Sequence, residues 1–538
     1  MSVVHGMPRR GFLALAGPGL LFPWCARAQD SSSLPLPPPV RGGTLTVIGA
    51  EPPALLSLAN ITVGTRDISA KITEGLLRFD DRFAPQPLLA TAWSVSADGR
   101  RYRFTLRRNV RWHDGQPFTS ADVAFSLQEL QRANPRGRGT LAQLERVETP
   151  DAHTAVLHLK APAPYLLRSL SSAESPIVPR HLHAQGPEAA ARNAAAPVGT
   201  GPFRFRQWVR GSHAELERNP DYWDVGLPYL DRLIYRFSAD PAAIAAALET
   251  GAADFSTSVS LNDIARLSKH PRLHAQALPS AYLNNIAAVE FNLGNPHFSH
   301  AQVRRAVAHA LNLDFLNKAA YQGLAQPLAT PVPPALAPWH DATLRPYAHD
   351  VDRANALLDQ AGFARGQGGR RFSVTLDYFP TATLKLVADY VKAALSRVGI
   401  HVTVRSQDLG GFVQRVYKQR DFDFEVNGLG ALFDPTAGVQ RLYASADAGK
   451  GIPFVNASGF RNAQADDLLA QAALETDETR RTALWHRLQK IAMDELPLLP
   501  LVSVPRGNVW SRRVHGLLEG VEESAGSFSR AWVEPKAP

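Results

Sequence analysis

Cysteine is almost missing from these 538 residues, since Cys25 is the only one. A disulfide framework is thereby excluded. The chain also lacks a Gly-x-Ser-x-Gly elbow, a His-Glu-x-x-His pair and a Gly-x-x-x-x-Gly-Lys-Ser loop, so the usual signatures of serine hydrolysis, zinc hydrolysis and phosphate binding do not occur. No run of basic residues interleaved with aromatics is present. The formal charge of +9, from 58 Lys and Arg against 49 Asp and Glu, is spread along the chain. It reads as a soluble basic surface that favours an anionic solute rather than nucleic acid. No internal repeat is visible.

The N-terminus is different in character. Arg9-Arg10-Gly11-Phe12-Leu13 precedes an apolar run to Trp24 that contains Pro18 and Pro23, and Ala26-Arg27-Ala28 supplies a small-x-small cleavage site. The run is too short and too broken to cross about 30 Å of hydrocarbon. It is expected to be an export signal over residues 1–28, of the twin-arginine kind, with translation plausible from Met7. Trp24 before Cys25 does not suit lipidation, and cleavage after Ala28 leaves a mature chain without any thiol nucleophile. Residues 29–40, rich in Ser and Pro, are expected to form a flexible leader.

The remaining chain is too long for one core, and two or three packed units are expected. Gly43 to Ile48 and Tyr102 to Leu106 alternate like strands. Val303, Ala306, Val307, Ala310 and Leu311 make one helix face, and Leu384, Val387, Ala388, Val391, Leu395 and Val398 another. Gly399 suits a left-handed cap leading into the strand Ile400, Val402, Val404. The reading is α/β, with long irregular connections such as 327–338.

One segment carries most information: Trp112-His113-Asp114-Gly115-Gln116-Pro117-Phe118-Thr119-Ser120-Ala121-Asp122-Val123. Val110 and Trp112 favour a strand, Asp114-Gly115 a hairpin turn, and Thr119 or Ser120 a cap for a helix from about residue 121. His113 beside Asp114 invites a catalytic reading, but neighbours in a tight turn point apart and no nucleophile accompanies them. With Leu106 to Val110 the segment resembles the extracellular solute-binding proteins of the peptide/nickel type, the receptors of ABC importers. The order of further segments extends the resemblance: Arg41 to Leu45, Glu74 to Leu77, Trp93 to Gly99, Gly199 to Phe203, Arg218 to Trp223, Val303 to Asp314, and Arg461 to Leu469.

The resemblance implies an α/β, periplasmic binding protein-like fold: two lobes around a ligand cleft, with an additional subdomain in the first lobe. Lobe I would take 41–71, 200–290 and 505–538, the subdomain 72–199 and lobe II 291–504. The implied function is periplasmic capture of a small organic solute for an ABC importer's permease and ATPase subunits, by a monomer without catalysis, cofactor or nucleic-acid partner. The alternatives are an exported hydrolase and a metal-chelate or sensory binding module. The 17 histidines are scattered; His181 with His183, and His297 with His300, lack a third ligand, so no metal residue is assigned.

Departures from the family pattern bear on the ligand. Peptide-binding members carry Trp-x-x-Asp-x-x-Asp-Pro, whose first aspartate pairs with the ligand's ammonium group. The matching segment here is Gly428 to Pro435, with Ala431 at the ammonium position, Gly428 at the tryptophan position and Asp434-Pro435 retained. Asp434 is expected to cap a helix or turn. An ammonium buried without its partner costs several kcal/mol, which disfavours a free peptide held in the usual way. Cleft residues are expected at Asn60, Arg66, Asn284, Asn285, Glu290, Asn427, Leu429, Ala431 and Phe433. Glu425 is a substitute carboxylate, and Arg66 and Arg461 are candidate anchors for a blocked peptide, sugar conjugate or opine-like acid.

Overall fold

A computed structural model describes residues 38–535; the expected export signal and most of the leader lie outside the described residues. The unit beginning at Val40 is built on three main sheets, with two further two-stranded ones. A seven-stranded sheet runs in the order Leu273–Pro279, Pro505–Ser511, Phe255–Val259, Thr44–Gly49, Arg232–Phe237, His213–Arg218 and Phe203–Val209. Thr44–Gly49 pairs in parallel with both neighbours, and the outer pairings are antiparallel. Apolar clusters cover both faces, one around Leu45, Phe203 and Leu233, the other around Ile48, Ile244 and Leu267.

The six-stranded sheet takes the order Gln326–Pro327, Leu498–Ser503, Asn285–Phe291, Phe424–Gly430, Phe372–Tyr378 and Ile400–Arg405. Its two inner strands Asn285–Phe291 and Leu498–Ser503 are almost wholly buried, because helices and loops pack on both faces. The helix Ala382–Arg397 buries Leu384, Val387, Ala388, Val391 and Leu395. It turns at Gly399, φ 84°, into Ile400–Arg405, as the periodicity predicts. The third sheet, Ala90–Val95, Arg101–Leu106, Thr154–Leu159 and Leu144–Asp151, is antiparallel. Tyr102, Phe104 and Leu106 face its core, and the intervening residues face solvent.

The turn at 113–116 forms with Gly115 at φ 87°, but the flanking residues make only one bridge, Arg111 to Pro117, instead of the expected hairpin strands. The helix starts at Ser120, capped by Thr119 in a reciprocal box with Asp122. His113 turns inward: Gly199 N–H donates to Nδ1 at 3.2 Å and Nε2 lies 2.9 Å from the Gly201 carbonyl, partners that assign a neutral ring protonated on Nε2. Asp114 instead accepts from Gln116 N and meets His181 at 2.6 Å. The pair diverges as expected from a tight turn. A side chain at 199 would put its Cβ 1.8 Å from the Ile72 carbonyl, so only glycine lets these segments meet.

The chain passes between the seven- and six-stranded sheets twice, at 280–284 and at Val504, so the strand Asn285–Phe291 wholly joins the second sheet. Val504 N–H donates to the Asn285 carbonyl at 2.8 Å, tying the two crossings together. Asn284 adopts φ 46°, a left-handed conformation that Asn tolerates well. Its amide donates to the carbonyls of Ala281 and Leu432, at 2.5 and 2.9 Å.

Candidate ligand-binding cleft

A cavity of about 580 Å³ opens between the lobes. Its near wall comes from Ile61, Pro135 to Gln143 and Tyr165; its far wall comes from Asn285, Gly428 to Gly430, Leu432, and the stretch 436–455. This volume suits a small organic molecule, and a cleft between two lobes buries such a ligand on closure. A larger groove of about 720 Å³ lies along the hairpin 78–88, Tyr222-Trp223 and 516–530, with no residue from the six-stranded sheet.

The near wall carries Arg136, whose guanidinium meets Glu174 at 2.5 Å; the same carboxylate oxygen receives Arg66 at 3.1 Å. Glu174 and Arg66 are buried, whereas Arg136 keeps 20% of its side chain exposed. One carboxylate thus serves two guanidiniums, and the cavity side retains positive charge.

The far wall is built on Asp434. This residue caps Pro435–Gly438, accepting from Thr436 N, and forms a fully buried bidentate pair with Arg481 at 2.6 and 3.0 Å. Arg168, from the other side, lies 3.5 Å from Asp434. The short helix packs tightly enough that a Cβ at Gly438 would come within 2.0 Å of the Ala431 carbonyl. Gln440–Tyr443 follows and presents Arg441, half-buried, whose guanidinium donates to the Gly430 carbonyl at 3.1 Å. Among the described residues no carboxylate lies within ion-pair distance of it. Burial pushes Arg441 down to about 10; Arg136 acts in the same direction and Tyr417 against it.

Of the expected cleft residues, Asn285 and Leu429 line the cavity. Asn60 shapes a turn by accepting from Thr62 N and Oγ1, and its neighbour Ile61 is the lining residue. Arg66 is bound to Glu174, Asn284 holds the crossing, and Phe433 stacks on Tyr282 at 5.3 Å. Ala431 sits in an apolar cluster with Leu442 and Leu468. Arg461 donates weakly to the Ser445 carbonyl at 3.4 Å and does not line the cavity.

Glu290 and Glu425 lie opposite each other on adjacent strands, both buried, which removes Glu425 as a cleft carboxylate. Glu290 Oε1 accepts from Ser458 N at 2.7 Å, while Glu425 Oε1 accepts from Asn427 Nδ2 at 3.3 Å. Neither Oε2 receives a hydrogen bond from another residue, so the pair is stable only with at least one carboxyl protonated. Burial pushes Glu290 up to about 7 and Glu425 well above its ordinary range, the Glu290 charge adding to the latter. Asn427 also donates to the Tyr417 hydroxyl at 2.8 Å, inside the lobe.

Arg136, Arg441 and the short helix that carries Arg441 were not found from sequence. The matching segment Gly428 to Pro435, with Asn285 and Leu429, pointed toward this region. No group of three or more His, Cys, Asp or Glu able to hold a metal occurs among the described residues.

The profile of the bacterial extracellular solute-binding proteins, family 5 Middle, matches residues 84–450. A Brucella ovis protein named as an ABC transporter peptide-binding protein is 36% identical over 339 residues; the match spans 62% of this chain and 62% of that protein's length. The glutathione-binding protein of Shigella dysenteriae is 30% identical over 464 residues, covering 82% of this chain and 85% of the relative. The A. tumefaciens R10 binding protein in complex with agropinic acid superposes with a TM-score of 0.77 at 27% identity, over 92% of this chain and 99% of its own. A Helicobacter pylori periplasmic binding protein in complex with the peptide STSA gives 0.78 at 26%, over 92% and 99%. With its two-lobed α/β architecture and its cleft between the lobes, the chain belongs to the bacterial extracellular solute-binding proteins of family 5.

Proposed function

We propose that this protein captures a small acidic organic solute, peptide-like or opine-like, outside the cytoplasmic membrane. As a monomer it hands the solute unchanged to the permease and ATPase subunits of an ABC importer. The observation that carries the reading is Arg441, a half-buried guanidinium on the cleft wall without a carboxylate partner among the described residues. A solute carboxylate would supply the missing counter-charge, and a planar fork of donors suits it. Family membership and two relatives, one named for glutathione and one bound to agropinic acid, support a ligand of this class.

Calorimetry with N-acetylated di- and tripeptides, offered as free acids and as C-terminal amides, tests the proposal. The acids are expected to bind and to be recovered intact, the amides to bind at least tenfold more weakly, and Arg441→Met to erase the difference. Equal binding of acids and amides, or conversion of the acid to product, would contradict it.

A further inference from the structure

The cavity wall carries more than one unanswered polar group. Asp447, at the end of the turn Ser445–Asp447, lines the same cavity. Among the described residues its carboxylate has neither an ion pair nor a hydrogen-bond donor. Arg441 attracts it only from beyond contact distance, and burial pushes its carboxyl above the ordinary range. Gln440, also lining, has a buried Oε1 without a donor. Arg136 on the opposite wall shares its carboxylate with Arg66, and its charge disfavours that of Arg441 across the cleft.

These groups make a pattern: two cations facing each other from different lobes, with one anion and one amide acceptor near the second. From this constellation we infer that the solute is an amino-diacid, with one carboxylate for Arg136, a second for Arg441, a charged ammonium for Asp447 and a further N–H for Gln440. γ-Glutamyl peptides and N-carboxyalkyl amino acids belong to this chemical class. Such a ligand replaces a repulsion between the lobes with two attractions, so it favours closure, whereas a mono-acid answers only one wall. Asp447 supplies the ammonium with the carboxylate partner that Ala431, held in the apolar core, does not. The inference rests on the acidic-solute reading above and narrows it.

Calorimetry with four probes separates the two. Glutathione offers two carboxylates and one ammonium, its glycyl ethyl ester loses one carboxylate, N-acetylglutathione loses the ammonium, and N-acetyl-dialanine is a blocked mono-acid. Wild-type protein is expected to bind glutathione at least tenfold more tightly than the ester, N-acetylglutathione or N-acetyl-dialanine. Asp447→Asn should weaken glutathione while leaving N-acetylglutathione unchanged. Arg136→Gln should bring glutathione to the level of the ester. The wild-type ranking does not depend on either variant folding. Binding of N-acetyl-dialanine as tight as that of glutathione would overturn the amino-diacid inference and leave the acidic-solute proposal standing. Failure of every acid, tested alongside N-acetylated tripeptides, would overturn both.

Discussion

The two walls of the cleft hold their arginines in opposite ways. On the near wall the brace touches the functional group itself, because Glu174 grips Arg136 directly and is backed by buried Arg66. On the far wall the brace lies beneath: Asp434 and Arg481 fix the turn that carries Arg441, whose own guanidinium is tied only to the Gly430 carbonyl. A directly braced cation is pre-oriented and partly neutralised; an indirectly braced one keeps its full charge for a ligand. The far wall should therefore supply most of the affinity and the near wall most of the discrimination.

Breaking the two braces separates these roles. Asp434→Asn strands the fully buried Arg481 charge and should cost about 3–5 kcal/mol of stability by denaturant titration. Residual folded protein should bind acids more weakly but with unchanged selectivity, since Asp434 does not line the cavity and acts only through the turn that carries Arg441. Glu174→Gln should cost about 3 kcal/mol, the low end of that range, because it strands the buried Arg66 charge while partly exposed Arg136 can be solvated. It should nevertheless change the selectivity between diacid and mono-acid probes. A selectivity change from Asp434→Asn, with none from Glu174→Gln, would reverse the assignment of the walls.

How far the sequence revealed these walls depended on whether a pattern was local. The strand Arg101–Leu106 has one buried face and alternates, the helix Ala382–Arg397 keeps its apolar stripe, and the Thr119 cap lies within its own turn. Each was legible from a few consecutive residues. The inner strands of the second lobe are buried on both faces, so their side chains carry no alternation to mark which residues reach the cleft. Ala431 matched the motif position yet points into the core, and Glu425 satisfied charge reasoning yet lies against Glu290. Arg136 follows a helix end and Arg441 lies within a single helical turn; only tertiary packing brings them to one cavity.

The buried carboxyl pair behind the far wall gives a smaller, pH-dependent contrast. The folded chain retains protons on Glu290 and Glu425 that the unfolded chain releases near pH 4.5, so stability falls as pH rises from about 4.5 through about 7. Glu74 and Glu522, raised to about 7 by burial, contribute the same sign; Lys71, lowered to about 7, opposes it only above that pH. Glu425→Gln gives Glu290 a permanent N–H donor and should flatten the fall between pH 5 and 7 by roughly 1–3 kcal/mol in a pH series of denaturant titrations. An unchanged slope would mean that the pair holds no proton.

The most direct measurement is mass spectrometry of whatever small molecule the protein retains when purified gently from its native compartment and then denatured. The cleft described here predicts release of an acidic solute carrying two carboxylates and an amine, in stoichiometric amount from wild-type protein and strongly depleted from Arg441→Met. Recovery of neutral sugars or mono-acid free peptides, retained equally by the variant, would contradict an acid-binding cleft anchored on Arg441.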